Sequence, residues 1–105
     1  MHLEKLKSVK QALDYLEEQQ YEQMFHGCPK GFTSKAAGQV YLPEELRIEA
    51  CHAYAKGSHQ QLDTLVYAVK GTDGAKGVII DDYYSYPDQI LGDHLVRMKL
   101  WQFSV

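Results

Sequence analysis

The sequence predicts an α+β fold: an N-terminal helix, a three-stranded antiparallel meander sheet, and a C-terminal helix packed on one face. Three observations carry this. Apolar residues recur at helical spacing near both ends and alternate at strand spacing between Arg47 and Tyr83. An Asp73-Gly74 dipeptide separates two β-rich runs, as in a hairpin. The chain has 105 residues, enough for one small domain and too few for a second.

The first helix is expected over residues 8 to 20. Ser8 and Gln11 form the S-x-x-Q pattern of a capping box, in which each side chain satisfies the other's free backbone N–H. Val9, Ala12, Leu13 and Leu16 then share one face, with Asp14, Glu17 and Glu18 opposite. Tyr21, Met24 and Phe25 follow as an aromatic return to the core. Residues 26–39 read as loop, because Gly27, Pro29, Gly31 and Gly38 break any period. Val40-Tyr41-Leu42 reads as a short strand. Pro43-Glu44-Glu45 reads as a turn or a single helical turn, with proline at an early position.

From Arg47 to Ala55, alternation places Ile48, Ala50, His52 and Tyr54 on one face. Lys56 to His59 is expected to be a turn or loop. Leu65 to Lys70 is the second strand, with Leu65, Tyr67 and Val69 on one face. Gly77 to Tyr83 is the third, apolar on both faces at Val78-Ile79-Ile80 and so expected to be central or covered by helices. The last helix is expected over 89–101, with Asp88 as its cap and Leu91, Leu95 and Met98 as an i, i+4, i+7 stripe.

Composition narrows the function. Eleven basic against fourteen acidic residues give a net charge of −3, with no basic cluster. Phosphate neutralisation needs clustered Lys and Arg, so nucleic-acid binding is disfavoured. No apolar run approaches the roughly 20 residues that cross a bilayer, and charges interrupt the N-terminus, so neither a membrane span nor a signal peptide is expected. Two cysteines make no disulfide framework and fit a reducing, cytoplasmic setting.

Several groups carry ligand chemistry. Asp81-Asp82 offers carboxylates of the kind magnesium accepts, but neighbours on a strand diverge. His26, Cys28, Cys51 and His52 are zinc-type ligands at unusual spacing. Cys28 with His26, His52 or His59 would form a nucleophile–base pair, yet a reactive thiol needs an electropositive setting and only Lys30 is near in sequence. No G-x-S-x-G element is present. Gly71 to Gly77 is glycine-rich, but it lacks the order of a phosphate loop and reads as a hairpin. Tyrosine occurs eight times. Tyr83, Tyr84 and Tyr86 cluster beside Asp81, Asp82 and Asp88. That amphipathic segment is the expected ligand or partner surface.

Most of the chain resembles a family of small bacterial proteins of unknown function, many described as phosphoribosylpyrophosphate synthetase. The shared residues are Ala12-Leu13, Leu16, Tyr21, Phe25, Pro43-Glu44-Glu45, Tyr67-Ala68, Asp73-Gly74, Lys76-Gly77, and Val78 to Tyr83 with Tyr86 and Asp88. The resemblance implies a small α+β domain and assigns no catalytic residue. The chain departs from that pattern at Gln20, where a helix-ending glycine is expected, at Asp82 and Tyr84, and along the C-terminal helix. Val78 to Asp82 also looks like the start of a phosphoribosyl-pyrophosphate loop. The Thr-Gly turn that would cradle phosphate is replaced by Tyr83 to Pro87.

Two readings follow. One is a non-catalytic cytoplasmic binding or interaction domain, self-associating through a sheet edge or the 83–88 segment, with no cofactor and no metal. The other is a small-molecule or metal-dependent enzyme, or a phosphoribosyl-pyrophosphate-related binder, using Asp81, Asp82 and His52. It requires those three side chains to converge.

Overall fold

The structure, a computed structural model, describes residues 2–36, 38–55, 62–82 and 88–103. Its first helix, α1 (Val9–Glu18), begins where Ser8 Oγ accepts from the Gln11 N–H at 3.1 Å. Gln11 Oε1 reaches back to the Lys7 N–H at 3.0 Å, one residue earlier than a capping box requires. The helix ends in a Schellman turn: the Tyr21 N–H donates to Leu16 O and the Gln20 N–H to Glu17 O, both at 2.9 Å. Gln20 therefore sits at φ 73°, in the left-handed position a glycine usually takes.

The chain then enters two sheets. Strand β1 (Gln23–Met24) runs parallel to β7 (Lys76–Asp81), which pairs antiparallel with β6 (Leu62–Gly71). Strand β5 (Leu46–Ala55) completes the order β1-β7-β6-β5. The expected meander is present as β5, β6 and β7. It gains β1 as a fourth, parallel member, which makes β7 an interior strand and explains its apolar character on both faces. Gly77 is what lets β1 approach: a Cβ there would lie 2.5 Å from Gln23 O and 2.6 Å from the Phe25 ring.

Residues 26–39 are not simply loop. Strands β2 (His26–Cys28), β3 (Gly31–Thr33) and β4 (Val40–Tyr41) form a second, antiparallel sheet. Pro29 and Lys30 turn β2 into β3, and the punctuating glycines mask a strand pattern too short to show a period. A side-chain bond joins this sheet to the β6–β7 hairpin, because the Tyr41 hydroxyl donates to Asp73 Oδ2 at 2.6 Å. That bond, helped by the Ala75 N–H, holds the Asp73 carboxyl below its usual range. Gly74 takes φ 90° to close the turn.

The core has two halves, one on each face of the larger sheet. On one face Ala12 and Leu16 of α1, with Tyr21, pack on Tyr54, Val66, Ala68 and Val78. On the other, Leu91, Leu95 and Met98 of α2 (Gln89–Phe103) pack on Tyr67, Val69 and Ile79. The C-terminal helix thus packs on one face, while the N-terminal helix takes the opposite one. A β-bulge also divides the face expected on β5. Ile48 pairs with Val69 and Ala50 with Ala68, leaving Glu49 as the extra residue. Ile48 turns toward α2, and Ala50 and Tyr54 toward α1.

Two substitutions test this architecture. Gln20→Gly relieves the left-handed strain and is expected to stabilise by about 1 kcal/mol, raising Tm by roughly 4–8 °C in thermal unfolding. Gly77→Ala is expected to cost about 2–3 kcal/mol in denaturant unfolding, because β1 must move away from β7.

Candidate functional site

The acids singled out in the sequence are separated by the pleat of β7. Asp81 pairs with Leu65, on the α2 face. Burial pushes its carboxyl pKa up; Lys99 opposes that, and Asp82 and Asp88 reinforce it. Asp82, one residue on, accepts from Thr64 Oγ1 at 2.9 Å. Asp88 caps α2: its Oδ1 accepts from the Leu91 N–H at 3.0 Å and its carbonyl from the Gly92 N–H at 2.8 Å. Asp82 and Asp88 meet again along a cleft of about 220 Å³, with His26, Gly27 and Ile80 among its walls. Tyr83, Tyr84 and Tyr86 lie outside the described residues, as does His59.

Asp81, Asp82 and His52 do not converge. His52 pairs with Val66 on the α1 face, where its ring meets Tyr54 edge-on at 4.9 Å between centroids. Asp81 is on the opposite face, and β6 separates His52 from β7 by two strand spacings, about 10 Å. The zinc-type residues are likewise divided between β2 and β5. Among the described residues, no group of three or more His, Cys, Asp or Glu is placed to hold a metal ion. Burial raises the Cys51 thiol pKa, against Lys99 and Tyr67, which is the wrong direction for a nucleophile. Cys28 offers its carbonyl to the His94 Nε2–H at 2.7 Å, fastening β2 to α2.

One edge of the larger sheet, β5, is partly closed. The Gln102 side chain accepts from the Ile48 N–H at 2.7 Å and donates to the Ile48 carbonyl at 2.8 Å, occupying the place of a neighbouring strand. Arg47 and the bulged Glu49 are exposed along the same strand, and charges and bulges of this kind discourage edge pairing.

What remains open is the outward face of α2. Leu91, Leu95 and Met98 face the core as expected, but Val96, Leu100, Trp101 and Phe103 are 58%, 63%, 66% and 63% exposed. Ile90 adds a further exposed side chain. On one flank Arg97 forms a two-point contact with Glu44, one of its bonds being Nη2 to Oε2 at 3.0 Å. That pair clamps the short turn Pro43–Glu45 against the helix. Reading α2 for its core stripe alone misses this face. Its signal was present, since Val96, Leu100 and Phe103 repeat the i, i+4, i+7 spacing of the inward stripe. No helix among the described residues is long and apolar enough to cross a membrane.

Because Asp88 serves as a helix cap, Asp88→Ala is expected to lower stability by about 1 kcal/mol, read as a fall in Tm. An unchanged Tm would remove that structural role. Comparisons with protein-family models, with curated proteins and with solved structures find no match to this chain.

Proposed function

We propose that this chain is a non-catalytic interaction domain that docks protein through the outward face of α2. The observation that carries the reading is the exposed run of Val96, Leu100, Trp101 and Phe103. Val96, Leu100 and Phe103 share one side of the helix at 3.6 residues per turn, and Trp101 flanks them beside Glu44 and Arg97, so together they form an apolar surface of a few hundred Å², the scale at which a monomer's patch is often functional. Trp is a frequent energetic anchor of interfaces, and the charged rim of Glu44, Arg97 and Lys99 matches their usual anatomy. The division of Asp81, Asp82 and His52 between two faces favours binding over catalysis.

A reducing, cytoplasmic setting belongs to the same reading. It is supported by Cys28 and Cys51, both free thiols. The family resemblance, which implies a small α+β domain without assigned catalytic residues, agrees with it.

The test is retention of protein on the immobilised chain. Leu100→Glu is expected to abolish retention while changing stability by no more than about 0.5 kcal/mol, as for other surface substitutions. Equal retention by the wild type and Leu100→Glu would overturn the reading, as would a large loss of stability.

A further inference from the structure

We infer that the row Arg47, Lys70 and Lys76 binds a small oligophosphate, a ligand carrying two or more linked phosphate groups. The site is separate from the outward face of α2. Across the larger sheet Arg47 pairs with Lys70, and Lys70 with Lys76. Residues distant in the chain thus become direct neighbours on three adjacent strands, a basic cluster that the sequence order hides. All three belong to the α1 face. Lys70 and Lys76 each stand two residues from Ala68 and Val78, which pack toward α1. Arg47 precedes Ile48, which turns toward α2, and so faces the other way. The ends of the row are two strand spacings, about 10 Å, apart.

Like charges directly opposite one another destabilise a sheet, and the protein leaves this row largely uncompensated. Among the described residues, Arg47 and Lys70 form no ion pair and no side-chain hydrogen bond, and both are exposed. Lys76 spends one donor on Gln19 O, at 2.8 Å, and keeps its charge. Arg47, Lys70 and Thr72 line a cleft of about 300 Å³. Of the acids on its wall, Glu44 is held by Arg97, and Glu45 accepts from the Leu42 N–H at 2.8 Å. Glu49 remains there, and Glu22 lies beside Lys76, so the cations outnumber the acids left to face them.

A chain of linked phosphates answers this arrangement. The Arg47 guanidinium can make two parallel bonds to one phosphate, and the lysines supply point charges to the next. The Thr72 hydroxyl adds a donor on the cleft wall. Recognition falls to side chains, because the Gly71 N–H already donates to Ala75 O and the Thr72 N–H to Glu45 O. A single phosphate engages only part of the row. A nucleic acid needs basic residues well beyond it, and the net charge of −3 opposes such a partner.

The experiment is equilibrium dialysis against inorganic tripolyphosphate, orthophosphate and a single-stranded oligonucleotide, on wild type, Arg47→Gln, Lys70→Gln and Glu49→Gln. Wild type is expected to bind tripolyphosphate at least about 10-fold more tightly than orthophosphate, with the affinity falling as salt rises. Arg47→Gln and Lys70→Gln are each expected to weaken binding about 10-fold with unchanged circular dichroism. Glu49→Gln is expected to strengthen it, since it removes a like charge from the ligand's surroundings. Without ligand, Lys70→Gln is expected to melt no lower than wild type, because it relieves the opposition to Arg47 and Lys76. No binding of tripolyphosphate at millimolar concentration overturns the site. So does equal binding by wild type and both cation variants, or tighter binding of the oligonucleotide than of tripolyphosphate.

Discussion

Strand β6 is apolar on both of its faces, and the rest of the structure follows from covering it. Val66, Tyr67, Ala68 and Val69 are each wholly buried. Two of them point to α1 and two to α2. A strand of this kind needs a layer on each side, so the helices cannot share one. The parallel addition of β1 to β7 serves the same end. It moves the equally apolar β7 from edge to interior and brings Phe25 onto the α2 side. The bulge at Glu49 then lets the edge strand give Ile48 to one half of the core and Ala50 to the other.

Helix α2 carries a second consequence. It must supply the inward stripe, and it spends Gln102 on the backbone of Ile48, yet it is also apolar on its outer side. The inward stripe and Gln102 fix how the helix lies, while Asp88 and the Arg97–Glu44 pair fasten its start and one flank. A large apolar face held on a well-anchored helix is preorganised for binding, which lowers the ordering cost of association.

The expected site was legible in part. Asp88 was readable both as a cap and as part of a surface, and the fold uses it as a cap while leaving it on the wall of a cleft with Asp82. Asp81 and Asp82 were readable as diverging neighbours, because side chains alternate along any strand. The separation of His52 from them required the strand order, since only the sheet places β6 between β5 and β7. The outer face of α2 was visible as spacing but not as exposure. The core takes the expected stripe, and only the packing of α2 on the sheet shows that the second stripe stays uncovered.

By itself the sequence determined the elements whose signals are local. These are the Ser8 start of α1, the hairpin at Asp73-Gly74, the places of the three long strands along the chain, and the inward stripe of α2 with its Asp88 cap. Each depends on hydrogen bonds and periodicities spanning a few residues. Tertiary structure decided the rest: the β2–β3–β4 sheet, the parallel seat of β1, the left-handed Gln20, the bulge at Glu49, and the helices on opposite faces. Those features form because residues distant in the chain meet. The close approach over Gly77, the bond from Tyr41 to Asp73 and the two-sided burial of β6 have no counterpart within any short window of sequence.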